Sequence, residues 1–307
     1  MNSLRTDALI VKNMIREALD KNTSLLIGKI GTIECNILYM LTFLQDREIP
    51  LEAREVLEVN AGVFPCDLES VRQWGDEARN SIIAADCLAT GWYENTKKQE
   101  RELLNSVKAK GLLNSVKAKG LQEVSLRSLE PYYDYITDEE GPWTTLLTNQ
   151  SVCVVSSFTE SAKIQIQKGE KRVWLAKKGI WPSSTKWHWV QTGYAPILAR
   201  GRAGWEESPE SWSEAVSWVV AEVLATDARI IIIGCGGLGM LIGARLKAHG
   251  KICLVLGGAT QVLFGIKGRR WENHPVISAF WNSEWVWPSL EETPAGACEV
   301  ENSCYWG

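Results

Sequence analysis

The sequence predicts an α/β protein built on a doubly wound, mostly parallel sheet, and three stretches carry that prediction. Residues 230–258, IIIIGCGGLGMLIGARLKAHGKICLVLGG, read in order as strand, glycine turn, helix and strand. Residues 24–31, SLLIGKIG, followed by TIECNILYMLTFLQ, repeat the strand, glycine turn and helix near the N-terminus. Residues 151–158, SVCVVSSF, form a third apolar strand, and TESAKIQIQKG leaves it as a polar helix. Strands alternating with helices pair in parallel and carry helices on both faces.

The remaining elements follow from periodicity. In the first 24 residues, Leu4, Ala8, Val11, Ile15, Ala18 and Leu19 have the spacing of a half-buried helix. Helical patterns cover residues 51–59 and 67–85, and ADCLATGWY after them reads as a strand. ESWSEAVSWVVAEVLA is a helix opened by a Ser/Glu-rich turn, and it leads directly into the strand at 230. The chain therefore reads as one unit over 1–307, with an N-terminal half, 1–150, that carries GKIGTIE and a C-terminal half, 151–307.

Composition narrows the partners. The 307 residues are 45% hydrophobic and 23% charged, with a net charge of -4. That balance is ordinary for a folded protein and gives no basic surplus for nucleic acid or a membrane surface. The longest apolar run, residues 230–244, is interrupted by glycines at five positions, which argues against a membrane span. The N-terminus lacks the uninterrupted apolar core of a signal peptide, so a cytoplasmic protein is expected. Eight cysteines occur without a C-x-x-C pair, and Cys35, Cys153, Cys235 and Cys253 fall inside apolar patterns; they read as reduced core residues.

Two peculiarities bear on the reading. LLNSVKAKG occurs twice in tandem over residues 103–120. On a helix nine residues advance about 900°, half a turn out of phase, so both copies cannot turn their leucines to one core face. The extra copy reads as a solvent-exposed extension without a chemical role. Tryptophan is abundant, 15 against 5 phenylalanines, and many fall late in the chain. Core packing explains any single one of them, while a cluster at a cleft would suit a sugar or a base.

Gly234, Gly236 and Gly239 fit the G-x-G-x-x-G fingerprint of dinucleotide sites. Such a site needs an acid at the end of the next strand to hold the ribose hydroxyls. Here that strand ends Leu256-Gly257-Gly258, and no carboxylate lies between Asp227 and Glu272. Arg229, Arg245, Lys247, Lys251, Lys267, Arg269 and Arg270 fill the same interval with cations. The segment suits phosphate better than an NAD ribose, because glycine lets backbone N–H groups approach an anion and GIKGRR adds cationic donors. Close helix–strand packing at Gly236 and Gly239 beside a solvated basic face is the plainer reading.

IGKIGTIE, VVSSFTESAKIQ, IGCGGLG, LGGATQVLFGIKGRRW and a tail from WVWPSLEETP to VENSCYW together resemble a family of glycosyltransferases of bacteria and large DNA viruses, related to the GT-D fold class. The resemblance spans most of the chain except the repeat. It implies a Rossmann-like hexosyl- or pentosyltransferase that uses a nucleotide sugar, a UDP- or GDP-sugar, and a carbohydrate acceptor, often with Mn²⁺ or Mg²⁺. The family's Asp-x-Glu pair after the first strand falls on Thr32-Ile33-Glu34, where only the glutamate is present. A lone carboxylate holds a divalent ion more loosely than a pair, and cations can stabilise a departing diphosphate instead. No D-x-D occurs, and TDEEG at 137–141 reads as a loop.

The site expected on these grounds has Glu34 as metal ligand or acceptor base, with Glu160 second. Gly28, Lys29, Gly31, Thr32, Ser156, Phe158, Gly234, Gly236, Gly257, Gly258, Gln261, Lys267, Arg269 and Arg270 would bind the nucleotide sugar. Glu34 and Glu160 also suit plain helix-start roles. An NAD(P)-dependent oxidoreductase and a non-catalytic nucleotide- or phosphate-binding protein are the alternatives. Hydrolase and zinc chemistry lack their motifs, and His188, His249 and His274 lack ligand spacing.

Overall fold

A computed structural model describes residues 3–44, 49–91, 94–114, 121–133, 141–175 and 177–307. Seven strands form one sheet: β1 Leu25–Gly28, β2 Cys87–Thr90, β3 Gln122–Ser125, β4 Ser151–Ser156, β5 Lys186–Gln191, β6 Ile230–Gly234 and β7 Ile252–Val255. Their order is β3-β2-β1-β7-β6-β4-β5, and each neighbouring pair is parallel. The expected doubly wound α/β sheet is present.

Strand alternation builds the two cores. Leu25, Ile27, Val152, Val154, Ile230 and Ile232 face one side, while Leu26, Cys153, Val155, Ile231 and Ile233 face the other. Central strands buried on both faces read as continuous apolar runs, which is why β4 and β6 stand out in sequence. The first core is covered by α1 (Ser3–Asp20), the helix after β4 and the tryptophan-rich tail; the second by α2 (Thr32–Phe43), α3 (Leu51–Ala61), α4 (Leu68–Ala84) and α5 (Glu94–Asn114). Three further helices complete the frame: α6 (Thr159–Lys168), then α7 (Trp212–Leu224) and α8 (Gly239–Ala248) on the face of the second core.

The connections fix where a ligand can enter. From β4 the chain passes through α6 to β5 at one edge, and from β6 it passes through α8 to β7 in the opposite direction. Helices thus leave adjacent strands on opposite faces, and a crevice opens between the carboxyl ends of β4 and β6. Ser156 and Gly234 are register partners at its floor.

Glycine packing holds α8 on the sheet. A Cβ at Gly28 would run into the Met240 sulfur and lie 3.1 Å from the Val255 Cβ, and one at Gly239 would lie 2.9 Å from a Val255 methyl. Both positions let helix and strand approach, so Gly28 serves packing within the core and lines neither of the cavities described below. Gly236 is left-handed, with φ of 42°, and its bare face meets the Ala61 carbonyl at the end of α3.

In the tandem repeat, Leu103, Leu104 and Val107 of the first copy are buried in the second core. The expected exposed extension falls largely on 115–120, and the TDEEG loop on 134–140, both outside the described residues. All eight cysteines are free thiols. Cys35, Cys153 and Cys253 are buried as expected, whereas Cys235 is only half-buried. Among the described residues no helix is long and apolar enough to cross a membrane.

Candidate functional site

The crevice between β4 and β6 is a cleft of about 800 Å³ including its open mouth. Its walls come from the strand ends, with Ser156 and Ser157 after β4, Thr192 and Tyr194 after β5, Gly234 and Cys235 after β6, and Gly257 and Gly258 after β7. The C-terminal tail closes one side with Tyr305 and Trp306, and Asn60 at the end of α3 with Trp205 closes the other. Among the described residues, no lysine, arginine, histidine, aspartate or glutamate lines it. Aromatic faces and hydroxyls dominate.

A second, smaller cavity of about 290 Å³ shares Gly236 with the first. Lys29, Gly31 and Glu34 line it, along with apolar side chains of α2, α4 and α8. Among the described residues, Glu34 is the only carboxylate on either cavity. It lies in the first turn of α2, where Gly31 is the N-cap and has no side chain to supply a capping bond. The Glu34 carboxylate folds back across Gly31, into space that a Cβ there would fill. Burial raises its pKa above the ordinary carboxylate range, opposed by backbone hydrogen bonding and by Lys29.

Lys29 continues β1 beyond its last paired residue and is only 9% exposed. Its Nζ lies 4.0 Å from Glu130, and its Cε lies 3.3 Å from where a Cβ on Gly257 would stand. Burial lowers its pKa, Glu130 acts against that, and the nearby Arg270 adds to the lowering. Arg270 comes from the GRRW turn: its Nη1 donates to the Tyr305 hydroxyl at 2.7 Å, and its Nη2 lies 3.4 Å from Glu301. The same Nη1 is 3.6 Å from the Cβ position of Gly258. Two cations from distant parts of the chain thus flank the glycine pair that follows β7.

The other expected residues divide. Ser156 is buried, and its Oγ accepts from the Phe158 N–H at 3.2 Å, so both shape the turn as well as the cleft wall. Gln261 also lines the cleft, and its Nε2 donates to the carbonyls of Lys267 and Tyr305 at 2.7 and 2.8 Å, which ties the basic turn to the tail. Thr32 is half-buried at the start of α2 and lines neither cavity. Lys267 lies over the Trp281 ring at 5.5 Å, and Arg269 is exposed with a bond to the Asn302 carbonyl at 3.3 Å. Glu160 is exposed and pairs with Lys163 at 2.5 Å. Lys267, Arg269 and Glu160 line neither cavity, and Arg270, although beside Gly258, lines neither as well.

Sequence reasoning missed Ser157, Tyr194, Tyr305, Trp306 and Glu130. Tyr194 donates to the Ser157 Oγ at 2.9 Å, and Trp306 donates to the Glu292 carbonyl at 3.2 Å. Glu292 in turn accepts from the Ser161 N–H at 3.0 Å and the Ser289 N–H at 3.1 Å, which fastens the tail to α6. Most tryptophans pack in the cores, and Trp205 and Trp306 reach the cleft.

The donor set does not fit a resident divalent ion. Among the described residues no three His, Cys, Asp or Glu side chains converge on one point, and the Glu34 carboxylate has an ammonium group beside it. Hard divalent cations take six or more oxygens, which Glu34 cannot approach alone. Ser151, His188 and Asp227 do cluster, but at the amino ends of β4 and β5, away from the cleft. Ser151 and Asp227 both reach the same imidazole nitrogen, at 3.0 and 2.7 Å. A nucleophilic triad needs them on opposite nitrogens.

The fold is a doubly wound parallel α/β protein with a cleft at its topological switch point. No family model matches the chain, and none of the curated proteins compared with it does. Two solved structures align with it. One, described as the highly conserved domain of unknown function 1792 with a distinct glycosyltransferase fold, is 13% identical over 83% of this chain and 80% of that one, with a TM-score of 0.39. A selenomethionine-substituted structure of domain of unknown function 1792 is 14% identical over 79% and 75%, with a TM-score of 0.38.

Proposed function

We propose that the protein is a glycosyltransferase that moves a sugar from a nucleoside-diphosphate sugar to a hydroxyl of a glycan or other acceptor. One observation carries the reading: Lys29 and Arg270 flank Gly257 and Gly258, which follow β7 and line the uncharged cleft, and Lys29 also lines the smaller cavity that holds Glu34. A diphosphate leaving group suits the two cations, which neutralise charge as the bond to the sugar breaks. As the acceptor oxygen bonds to the anomeric carbon, its proton passes to Glu34. A carboxyl whose pKa is raised by burial is suited to that task near neutral pH. No step runs through a metal ion.

A dinucleotide oxidoreductase finds no support at the same place, since β7 runs on into Leu256-Gly257-Gly258 without an acid for a ribose. Thermal unfolding with UDP, GDP or NAD, each in EDTA and then in Mn²⁺, separates the readings. UDP or GDP is expected to stabilise the fold by about 2.7 kcal/mol at one hundred times its dissociation constant, with or without the metal. Stabilisation by NAD alone would overturn the proposal.

A further inference from the structure

We infer that the C-terminal tail controls Arg270 through two residues: Tyr305 is a positioning residue that holds the guanidinium at Gly258, and Glu301 is a built-in competitor that occupies its second nitrogen until a phosphoryl oxygen displaces it. The inference rests on the glycosyltransferase reading and adds to it a contact that the incoming diphosphate must exchange.

Tyr305 grips Arg270 in two ways. Its hydroxyl accepts from Nη1 at 2.7 Å, and the guanidinium carbon lies 4.9 Å from the centre of its ring, with the Trp271 ring 5.8 Å away. The tyrosine is itself fixed in place. Its carbonyl accepts from the Gln261 Nε2 at 2.8 Å, the preceding Cys304 carbonyl accepts from the Arg270 N–H at 2.9 Å, and its ring lies 3.2 Å from where a Cβ on Gly258 would stand. A side chain as long as arginine loses much rotamer freedom when it is held. Tyr305 imposes that loss before a ligand arrives, so that binding does not have to.

Glu301 has the opposite character. Its side chain is 51% exposed, and its carboxylate stands 3.4 Å from Nη2, longer than the roughly 2.7–2.9 Å of a tight charge-assisted bond. An ion pair so open to water is weak, and a diphosphate brings more charge and more oxygens to the same nitrogen than a carboxylate does. The backbone that carries Glu301 there is left-handed at three successive residues, Glu301, Asn302 and Ser303, with φ of 42°, 56° and 62°. L-residues adopt that conformation at a cost, so the turn is held by its contacts, and the pair with Arg270 is one of them. The charge of Glu301 also reaches Glu34, whose pKa it helps to raise. The competitor therefore sits at the proposed site and not on a remote surface.

The test is a double-mutant cycle read by calorimetric titration of the full chain with inorganic pyrophosphate and with UDP. Arg270→Gln is expected to weaken both ligands at least about tenfold. Glu301→Gln tightens them at least about fivefold, and Tyr305→Phe, which keeps the ring, weakens them at least about threefold, each with a melting temperature within about two degrees of wild type. Once Arg270 is replaced, neither change moves affinity by more than about twofold, because both act through that side chain. Arg270→Met, which keeps the packed stem, serves in place of Arg270→Gln if the latter does not fold. A folded Glu301→Gln protein that binds no tighter, or a gain that persists in full without Arg270, would overturn the competitor. Unchanged affinity in Tyr305→Phe would overturn the positioning role. Each of these results leaves the transferase reading standing. Wild type and Glu301→Gln proteins that bind neither pyrophosphate nor UDP would overturn both.

Discussion

Glu34 illustrates how one residue acquires a property that its neighbours in sequence do not announce. GKIGTIE marks a turn between a strand and a helix, and from that alone both Glu34 and Lys29 could be placed near a ligand. Their coupling to Glu130, Arg270 and Glu301 arises only when β1, β7 and the tail come together. Because burial raises the Glu34 pKa, the folded chain holds that proton more tightly than the unfolded one. Its contribution to stability is therefore present at low pH and lost as pH rises through the folded value. Catalysis runs the other way, since a base must be ionised. The acid limb of kcat/KM is expected above the ordinary carboxylate value of about 4.3, and Glu34→Gln removes it. On the basic side, loss of the Lys29 ammonium lowers affinity below the ordinary lysine range, because burial depresses its pKa. An acid limb unchanged in a folded Glu34→Gln protein would assign the ionisation to another group. The basic block reads differently at this scale. Lys267, Arg269 and Arg270 are indistinguishable in GIKGRR, yet only Arg270 turns to the glycine pair.

At the scale of elements, the strands that sequence revealed are those buried on both faces. β4 and β6 announce themselves as unbroken apolar runs, and α1, α3, α4, α6 and α7 by their periodicity. The edge strands did not. β3 is QEVS, with Val124 its only buried side chain, and β5 is KWHWVQ, whose Trp187 and Trp189 are only partly covered. Edge strands carry polar side chains on the face they leave open, so the apolar signal fades where the sheet ends. The tail from Arg269 to Gly307 holds only short 3-10 turns, and its order comes from side chains such as Glu292 and Trp306. No local pattern foretells that arrangement. The glycines were legible as a motif, but their physical work divides between packing and site. Gly28→Val is expected to destabilise the fold by about 1–3 kcal/mol through overpacking, because the added carbons meet Met240 and Val255. Chemical denaturation measures the shift, and an unchanged midpoint would mean that α8 does not bear on β1 as described.

For the whole molecule, strand order decides more than any motif. The reversal between β4 and β6 opens the cleft, and the crossing of β1 to the side of β7 brings Lys29 to the glycine pair. Alternation of strands and helices predicted the doubly wound class. The order itself depends on which edges remain free for β3 and β5, and neither strand was visible beforehand. The proposed reaction needs the complete assembly, because its groups come from β1, α2, β7 and the tail. The most direct test measures release of nucleoside diphosphate from UDP- and GDP-hexoses, with simple glycosides as acceptors, by wild type and by Glu34→Gln. Nucleotide binding and melting temperature are followed in the same samples. The account predicts turnover by wild type, a loss of about 10²-fold or more in the variant, and a melting temperature within about three degrees, since a helix-start acid contributes only about 0.3–1 kcal/mol. Near-normal turnover in a folded Glu34→Gln protein would contradict it.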